Sequence, residues 1–570
     1  MLIIGDLSGI QDYLFDVASE GGQQARRLRA RSFYIQLVAE CLALRMLHAA
    51  ECSKEHLLFC SAGKFLIEAP ALSTAQQQKV QAEARQLNEW LFQNTNAQLR
   101  LSLVINESAG TPQNRYEAAI QHLQVEKSRP WANVVASAGE WNTSTLRLAS
   151  IGEPCVLCKR RKGVVAEEAD VAADQARLIC RQCEDDRRLG KDLPRNEKMW
   201  VVLSDFAETE AAIEMPGWFV KLEQQKPFTH RGPLLHLTAQ SQSAKDDEPN
   251  IYSRALTRHI PRNEADNTAK DFRTIAGLAK GDKLLGVLKA DADSLGNFIN
   301  GLLAKASDLA PLSQFSRELD DFFGVTLDRT IRKEYSDSIY TIFAGGDDLL
   351  LVGPWNVMFD FAGVVNEMFW QKFGKHGLTL SAGITLIKPK RPINHAVERA
   401  EELLHLAKTQ PAPKAAASKN QLAAFGQIWK WQDHAAILAA AKQLTSWMDD
   451  KENKVAERGW LQTLLRLAEQ RRQGVLATQQ LAEQAALDDL AKARLVEQRQ
   501  QGVMATSRLA YQVARNFPNS KDRNPDRRAL RQWADRLVTD FETADYLETI
   551  YLPTIVRYAL TATRSVNTEG

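Results

Sequence analysis

The feature that most constrains this chain is a glycine turn between two apolar segments, followed at once by two carboxylates. Residues 338–343 and 349–352 are apolar enough to be buried strands, and the sequence Gly-Gly-Asp-Asp at residues 345–348 joins them. Two such strands around a glycine pair predict a tight β-hairpin that holds the acidic pair on a rigid element. Taken alone, the tetrapeptide is also compatible with an ordinary hairpin turn.

A second acidic strand end lies upstream. Residues 284–289 are apolar and predict a strand, and Asp291 and Asp293 follow it. If this strand lies beside the hairpin, Asp291 faces the acidic pair Asp347 and Asp348. Carboxylates gathered in this way hold the divalent ions of phosphoryl transfer, and Mg²⁺ completes its shell with phosphate and water. Asp293 shares the face of Asp291 only if the strand continues that far, and the alternative is a cap on the next helix.

The elements around this site occur in a recognisable order. Apolar periodicity predicts strand, helix, helix, strand, strand, helix, strand and helix within residues 276–430. That order is typical of a palm domain with a ferredoxin-like core, the fold of many nucleotidyl cyclases and polymerases. The hairpin and the strand ending at Asp291 therefore predict a Mg²⁺ or Mn²⁺ site for nucleotidyl transfer.

The rest of the chain divides into three further domains, giving an α+β multidomain protein. Residues 1–145 repeat the plan loosely, with a turn at residues 61–64 that lacks an acidic pair, which predicts a degenerate, non-catalytic palm. Residues 146–275 contain four cysteines in a basic, loop-rich context. Residues 431–570 have helical periodicity with almost no strand signal, which predicts a helical bundle.

Two Cys-x-x-Cys pairs predict a closed metal site. Cys155 and Cys158 are separated by 21 residues from Cys180 and Cys183. This spacing is typical of a tetrahedral four-cysteine Zn²⁺ site, which has no open coordination position and is therefore structural. Basic residues flank the pairs and either contact RNA or a protein partner or form a solvated rim. The other cysteines, Cys41, Cys52 and Cys60, lie in or beside apolar segments and are expected in the core.

Composition limits the alternatives. With 72 basic and 70 acidic residues, the net charge is only +2, so any nucleic-acid surface must be local. The N-terminus lacks the features of a signal peptide, and no apolar run approaches the ~18 residues of a membrane helix. We therefore expect a cytoplasmic protein with reduced thiols.

Several polar side chains are open to more than one interpretation. The basic segment of Arg26, Arg27, Arg29 and Arg31 either binds phosphate or an acidic partner or is ordinary surface charge. Lys408 and Lys419 are suitable phosphate partners, although taken alone each fits a solvated surface lysine better. The small residues Ser381, Ala382 and Gly383 either leave room for a nucleotide or pack within a tight sheet.

In combination, the motifs resemble the large subunit of type III CRISPR effector complexes, and its Csm-type more closely than its Cmr-type. The first palm of that family is matched by GDLSGIQDYLF at residues 5–15, LRARSFY at 28–34 and AGKF at 62–65. The second palm is matched by LKADADSLG at 288–296, FSRELDDFF at 315–323, AGGDD at 344–348, LSAGI at 380–384, and the segment from Lys419-Asn420 to Phe425-Gly426. The two cysteine pairs match its zinc module, and the match runs in order over residues 1–430.

The resemblance implies a function and a set of roles. Such subunits assemble around a CRISPR RNA with other Csm-type subunits, and pairing with a target RNA switches the second palm to convert ATP to cyclic oligoadenylate for antiviral defence. Metals would be held by Asp291, Asp347 and Asp348. The nucleotide would contact the following residues: Gly345, Gly346, Ser294, Ser381, Lys408 and Lys419.

The chain departs from many relatives in one respect. They carry an N-terminal histidine-aspartate nuclease domain that cuts single-stranded DNA, whereas this sequence begins at the first palm and contains no His-Asp dipeptide. We therefore expect no DNA cleavage. The motifs leave two alternative functions, a cyclic dinucleotide synthase and a non-catalytic scaffold. A GGDEF-like diguanylate cyclase would carry Phe after the acidic pair, where Leu349 stands here, and a non-catalytic scaffold would position RNA without needing the acidic residues.

Overall fold

The computed structural model describes residues 1–16, 24–137, 152–166, 178–193, 198–206, 212–228, 232–238, 250–255, 259–263, 265, 268–449, 455–483, 489–516, 524–541, 543 and 545–564. It has a mixed α/β, multidomain architecture. Among the described residues, no helix combines the length and the apolar character needed to cross a bilayer.

The N-terminal unit is a four-stranded sheet with helices packed on it. Its strands are β1 (Leu2–Ser8), β2 (Leu57–Ser61), β3 (Lys64–Glu68) and β4 (Arg100–Asn106), in the order β2-β3-β1-β4. Its helices are α1 (Ile10–Phe15), α2 (Gln24–Ala49), α3 (Thr74–Asn94), α4 (Pro112–Lys127) and α5 (Ala132–Ser137). Side-chain caps fix two starts: Ser73 and Gln76 form a capping box on α3, and Thr111 caps α4 ahead of a proline.

The cysteine pairs lie in a small module that precedes a second sheet. The module contains β5 (Val165–Ala166), β6 (Leu178–Ile179) and α6 (Arg181–Asp192). The sheet contains β7 (Lys198–Ser204), β8 (Ile213–Met215), β9 (Trp218–Glu223), β10 (Leu234–Thr238) and β11 (Ile251–Ala255), in the order β11-β10-β7-β9-β8. Its apolar side chains join the same core as α2, so the region is more than the loops expected around small elements. Much of the polar stretch 241–250 falls outside the described residues.

The second α/β unit has a six-stranded sheet. Its strands are β12 (Leu285–Asp293), β13 (Tyr340–Gly345), β14 (Asp348–Pro354), β15 (Thr379–Ile387), β16 (Gln421–Ala424) and β17 (Gln427–Lys430), in the order β13-β14-β12-β15-β16-β17. Its helices are α7 (Phe272–Gly277), α8 (Leu295–Leu303), α9 (Ala310–Asp321), α10 (Leu327–Glu334), α11 (Trp355–Phe373) and α12 (Ile393–Thr409). A π-helical turn at Phe322–Thr326 joins α9 to α10. The short hairpin of β16 and β17 was not predicted.

The remaining described residues are helical, as the periodicity predicts. The helices are α13 (Trp431–Asp449), α14 (Arg458–Glu483), α15 (Asp489–Asn516), α16 (Pro525–Asp540), α17 (Leu547–Ile550) and α18 (Leu552–Ala562). Trp533 of α16 packs against both Trp447 of α13 and Trp460 of α14, and this bundle shares its core with the second α/β unit.

The two α/β units have the same strand connectivity. The order β2-β3-β1-β4 corresponds strand by strand to β13-β14-β12-β15. In both, the first strand lies in the middle, pairs antiparallel with a hairpin on one side and pairs antiparallel with the fourth strand on the other. The loose shared plan seen in the sequence is therefore present in the backbone of both sheets.

Candidate active site

The acidic residues of the second α/β unit meet at one edge of its sheet. Antiparallel pairing places Asp291 of β12 directly opposite Asp348 of β14. On the other side of β12, Asp291 lies opposite Ser381 of β15. The backbone N–H of Ala292 donates to the carbonyl of Asp347 at 3.1 Å, which ties the hairpin turn to the end of β12. Directly opposed residues on paired strands point to the same face, so the expected juxtaposition of Asp291 and Asp348 is present.

Two lysines neutralise these carboxylates. The ammonium of Lys408, near the end of α12, contacts the carboxylate of Asp291. The Lys289 ammonium lies 3.9 Å from Asp348 and also contacts Glu401 of α12. Each acidic residue therefore has a cation where a divalent metal would otherwise supply positive charge. Lys289 was not singled out as a site residue from the sequence, because it lies within an apolar strand.

Burial shifts the titration of this group of residues. Burial raises the pKa of Asp348 to about 6, with the neighbouring charge of Asp347 adding to the shift and Lys289 opposing it. Burial also lowers the pKa of Lys408 to about 8, and the nearby ammonium groups of Lys419 and Lys289 contribute. One oxygen of Asp348 is buried without a hydrogen-bond partner. An orphaned carboxylate oxygen facing an acidic partner suits a cation ligand.

Asp347 lies on the turn, and its charge acts on Tyr116 of the N-terminal unit. Burial raises the pKa of Tyr116, on α4, to about 12, and the charge of Asp347 adds to that shift. Among the described residues, the four cysteines are the only group of three or more side chains whose ligand atoms converge as a metal site requires. The carboxylates of Asp291, Asp347 and Asp348 do not converge in this way. Joint metal coordination by all three carboxylates therefore stays a prediction, and it requires side-chain movement away from the lysines.

Asp293 has a different role from Asp291. Strand β12 continues through Asp293, so the two carboxylates do share a face. The side chain of Asp293 is buried and accepts hydrogen bonds from Thr379 Oγ1 at 2.8 Å, Ser381 Oγ at 2.8 Å and the Asn420 backbone N–H at 2.9 Å. It does not cap the following helix, whose N-cap is Ser294 without a side-chain cap bond. Asp293 braces β15 and the segment after α12.

The predicted nucleotide contacts are brought to this same edge. Lys419 donates to Ser294 Oγ at 2.9 Å, beside Asp293. The Ser381 hydroxyl donates its hydrogen bond to Asp293, so it stabilises the arrangement of the site instead of donating to a nucleotide. Lys408, Lys419, Ser294 and Ser381 thus surround the ends of β12 and β15, which only the fold could bring together.

The two glycines of the hairpin turn face different surroundings. A Cβ on Gly345 would meet a single atom, at 3.9 Å, so the space beside it is open. Gly346 has φ +61°, and a Cβ there would lie 2.8 Å from the Cβ of Ala62 in the N-terminal unit. Gly346 is therefore required for contact with the turn between β2 and β3, whereas Gly345 fits the predicted approach of a nucleotide.

A cleft of about 730 Å³ opens in front of the carboxylates. Its floor includes Lys289, Asp291 and Asp348, and α12 forms one wall. The opposite wall comes from α1 and residues 96–98 of the N-terminal unit, with Arg160 of the cysteine module at the edge. Both α/β units and the cysteine module thus border one cleft, which combines acidic, basic and apolar side chains.

The N-terminal unit has its own version of this arrangement. Asp6 of β1 occupies the position of Asp291: it lies opposite Lys64 of β3 and Ser102 of β4, as Asp291 lies opposite Asp348 and Ser381. Lys127, at the end of α4, pairs with Asp6 at 3.1 Å as Lys408 pairs with Asp291. The register therefore places an ammonium group, on Lys64, where the second unit has the carboxylate of Asp348.

The four cysteines form the cluster that their spacing predicts. All four are buried, and their sulfur atoms lie within 4.8 Å of one another. The sulfurs of Cys158 and Cys180 are 3.8 Å apart. Zn–S bonds of about 2.3 Å in a tetrahedron separate the sulfurs by about 3.8 Å. The thiol set therefore fits a four-coordinate Zn²⁺.

Three of the four arginines in the basic segment of α2, Arg27, Arg29 and Arg31, are buried, which neither interpretation of their charge anticipated. The Arg31 side chain is 3% exposed and donates to Asp186 at 2.9 Å, and Asp186 is 0% exposed. Arg31 also donates to the backbone carbonyl of Tyr13 at 2.8 Å and to that of Asp16 at 2.7 Å. Arg29 lies over the ring of Tyr340 in the second unit. These arginines hold domains together, and their buried positions follow from α2 being apolar on most of its surface.

Comparisons with known proteins agree with this architecture. Residues 1–136 match the family model described as Csm1 subunit domain B, and residues 284–423 match the Cas10/Cmr2 second palm domain. Solved chains of the Csm1–Csm4 cassette share the fold: one in complex with one ATP has a TM-score of 0.68 at 17% identity, and one in complex with cA4 has 0.66 at 16%. Each alignment covers 99% of this chain and 70% of the other.

Curated relatives extend the match through the sequence. A CRISPR system single-strand-specific deoxyribonuclease Cas10/Csm1 (subtype III-A) from Enterococcus italicus is 24% identical over 450 residues, which is 76% of this chain and 55% of the relative. Its counterpart from Methanocaldococcus jannaschii is 24% identical over 496 residues, 75% of this chain and 59% of the relative. The chain thus spans a little over half the length of the curated relatives it matches. Because residues 1–136 match Csm1 domain B and residues 284–423 match the Cas10 second palm, this chain is a homologue of the Cas10/Csm1 large subunits of type III-A CRISPR systems.

Proposed function

We propose that this chain is a target-RNA-activated synthase that converts ATP to cyclic oligoadenylate within a type III-A CRISPR effector complex. The observation that carries the proposal is the pairing of Asp291 with Asp348 across β12 and β14, at the floor of a cleft bordered by both α/β units. The fold shared with chains of a cassette in complex with ATP and with cA4 supports the same chemistry.

Asp291, Asp347 and Asp348 would hold Mg²⁺ or Mn²⁺ in the second palm. When bound, divalent metal would activate the 3′-hydroxyl of one nucleotide and stabilise the pyrophosphate leaving the next. Asp348 has an unpartnered oxygen for this purpose, and Asp291 becomes available when Lys408 leaves it. The released Lys408 ammonium then faces the triphosphate, together with Lys419. Gly345 leaves room for the phosphates next to the turn.

The N-terminal unit would be a second, degenerate palm that binds the acceptor nucleotide without catalysing transfer. Lys64 stands at the position of Asp348, so this unit lacks the opposed pair of carboxylates. Its Asp6 and Lys127 repeat the pairing of Asp291 with Lys408. Both units border the cleft, so a hydroxyl held against its N-terminal wall would face a triphosphate held at Asp291 and Asp348.

The four-cysteine module would hold a structural Zn²⁺. Its helix α6 carries Asp186, which is buried against Arg31 of α2, and Arg31 in turn donates to backbone carbonyls at the C-terminal end of α1. Since α1 borders the cleft, Zn²⁺ would stabilise the cleft wall indirectly by ordering the module.

The division of the chain into four domains, with boundaries near residues 145, 275 and 430, is likewise part of the proposal.

Assembly with CRISPR RNA, target RNA and other Csm-type subunits would supply the switch. The solved chains with the same fold come from a Csm1–Csm4 cassette, one described within the type III-A CRISPR-Csm interference complex. A partner of the Csm4 kind is therefore the first to test, by co-expression and co-purification with this chain.

One experiment separates the possible activities. The assembled complex is incubated with labelled ATP or GTP and Mg²⁺, with and without matching target RNA, and the products are resolved. Cyclic adenylates formed only with target RNA support the proposal. Cyclic dimeric GMP indicates a GGDEF-like cyclase, and no product from a complex that binds target RNA indicates a scaffold.

The metal site has its own control. Asp347→Ala with Asp348→Ala should abolish product, whereas Asp526→Ala with Asp535→Ala removes the same charge from the exposed face of α16 and should not. Persistent synthesis in the first variant would overturn the site assignment.

DNA cleavage is a separate question, since the curated relatives are named single-strand-specific deoxyribonucleases. These 570 residues contain no His-Asp dipeptide, and the expectation that they do not cut DNA stays a prediction. Incubation of the purified chain with single-stranded DNA and Mn²⁺ tests it, and metal-dependent degradation would contradict it.

A further inference from the structure

We propose that Asp320, at the end of α9, is a positioning residue that holds the catalytic turn of the second unit against the turn between β2 and β3 of the N-terminal unit. The inference rests on the proposed function and deepens it, because it names the contact that fixes how the two nucleotide positions face each other. Asp320 reaches neither the cleft nor the carboxylates Asp291 and Asp348, so it acts through the backbone of the turn.

The Asp320 carboxylate contacts both turns at once. It accepts a hydrogen bond from the Ser61 hydroxyl at 2.6 Å, across a sequence separation of 259 residues. The backbone of Gly346, the residue before Asp347, also interacts with this carboxylate and opposes the rise in its pKa that burial causes. A single side chain on α9 therefore joins the end of β2 to the residue that precedes the acidic pair.

The two turns are in direct contact at this point. A Cβ on Gly346 would approach the Cβ of Ala62 to 2.8 Å, closer than real Cβ atoms come, and would lie 3.5 Å from Ser61 Oγ. Both residues have a positive φ, +61° for Gly346 and +50° for Ala62. Two left-handed turn residues packed this closely leave little freedom for relative motion, and Asp320 restricts that motion further by holding the Ser61 hydroxyl beside Gly346.

Helix α9 is well placed to act as the brace. Seven residues before Asp320, the Ser313 hydroxyl donates to the backbone carbonyl of Leu58 on β2 at 2.7 Å, so the helix is attached to the same strand twice. The π-helical turn at Phe322–Thr326 begins two residues after Asp320. A π-turn changes which side chains face the core, and such turns are frequent at functional sites. Here Phe322 and Phe323 enter the core of the second unit while Asp320 faces the N-terminal unit.

The surroundings of Asp320 disfavour a negative charge, so a contribution to folding stability alone does not explain a carboxylate at this position. It lines a small cavity between the units with Glu40, Cys60 and Arg254, and Arg254 donates to Glu40 at 2.5 Å. A partly buried carboxylate that shares its nearest cation with a second carboxylate can lose more free energy by desolvation than it gains from that cation. A serine or asparagine would satisfy Ser61 at a smaller cost, so the charge is explained better by its hold on the Gly346 backbone.

The test compares variants in the assembled, RNA-activated complex. Asp320→Asn and Asp320→Ala should lower kcat for oligoadenylate synthesis by about 10-fold or more while KM for ATP stays within about 2-fold, since Asp320 touches no substrate. Ser61→Ala should lower kcat in the same direction, and the double variant Ser61→Ala with Asp320→Ala should be no slower than Asp320→Ala alone. Asp321→Asn is the matched control, with the same charge change on the next residue, and should keep wild-type kcat.

The outcomes are separable from failure of the proposed function. If the wild-type complex makes no oligoadenylate, the proposed function fails before any variant is compared. If the wild-type complex is active and Asp320→Asn keeps its kcat, the positioning role is overturned. A raised KM with unchanged kcat, or additive effects of Ser61→Ala and Asp320→Ala, overturns it too. Should Asp320→Ala fail to fold, as shown by its thermal unfolding, Asp320→Asn and Ser61→Ala still decide the question.

Discussion

Asp291 and Asp348 lie directly opposite each other on the antiparallel strands β12 and β14, and each is paired with a lysine, Lys408 and Lys289 respectively. Two carboxylates on one face of a sheet repel each other unless cations lie between them. The lysines supply that charge in the protein alone. Metal binding must therefore compete with them, which links the state of the metal site to the position of Lys408.

The first prediction concerns this competition. Lys408→Ala should raise the affinity of the complex for Mn²⁺ by about 5-fold, because a partly exposed ion pair of up to about 1 kcal/mol no longer competes for Asp291. The same variant should raise KM for ATP by about 10-fold or more, because the triphosphate loses an ammonium group. Manganese titration and steady-state kinetics measure the two effects. Lys408→Arg keeps the charge and serves as the control, and weaker Mn²⁺ binding by Lys408→Ala would contradict the arrangement.

The second prediction separates Asp291 from Asp293. Asp293→Ala should lower the free energy of unfolding by about 3 kcal/mol, because two hydroxyls and one backbone N–H lose their acceptor in a buried place. Asp291→Asn should change stability by less than about 1 kcal/mol and abolish synthesis. Urea unfolding and product analysis give the comparison. Equal stability of both variants would show that Asp293 does not brace the sheet.

The third prediction concerns the link between α2 and the cysteine module. Arg31→Met should cost about 3–5 kcal/mol, because it leaves the Asp186 carboxylate buried without its cation. Replacement of both partners, Arg31→Met with Asp186→Leu, should recover much of that loss. Arg45→Met removes a cation from a more exposed pair with Glu83 and should cost at most about 1 kcal/mol. Chemical unfolding of the three variants decides, and a cost for Arg31→Met no larger than that for Arg45→Met would argue against the link.

The fourth prediction concerns zinc. The purified chain should contain one equivalent of Zn²⁺, and Cys180→Ser should lose it together with thermal stability. Cys52, a half-buried thiol outside the cluster, provides the control: Cys52→Ser should retain zinc. Elemental analysis and thermal unfolding measure both properties. Full zinc content in Cys180→Ser would remove that cysteine from the ligand set.

The fifth prediction concerns pH. Burial raises the pKa of Asp320 from 3.8 to about 6, while hydrogen bonds from Ser61 and Gly346 and the charge of Arg254 oppose the shift and Glu40 adds to it. The native state then binds a proton more tightly than the unfolded chain, so this group's stabilising contribution is complete below about pH 4 and is lost as the pH rises through 6. Wild-type stability should fall relative to Asp320→Asn between pH 5 and 7.5.

Urea unfolding of both proteins across this range measures the effect. Asp321→Asn, unfolded under the same conditions, controls for the general loss of one negative charge. A difference between wild type and Asp320→Asn that does not change with pH would show that Asp320 is ionised throughout.

The sequence by itself determined the elements and the chemistry of this protein. Apolar periodicity predicted the strands and helices of the second unit from β12 to α12 closely, but not the short hairpin of β16 and β17, because the longer segments carry a clear apolar period in the sequence. The hairpin at residues 345–348, the strand end at Asp291 and the two cysteine pairs were also recognisable, since turn and metal chemistry depend on local spacing. The sheet of β7 to β11 was missed, because short strands between polar stretches carry little periodic signal.

Only the tertiary structure decided which polar groups meet. Lys289 lies in an apolar strand, Arg31 in a basic run that resembles surface charge, and Asp320 in an amphipathic helix, and each is defined by a partner more than 50 residues away in sequence. The same holds for Gly346, whose lack of a side chain is explained by Ala62 in the other unit. Contacts of this kind depend on how two sheets pack against each other, and packing is a property of the whole chain that no local pattern encodes.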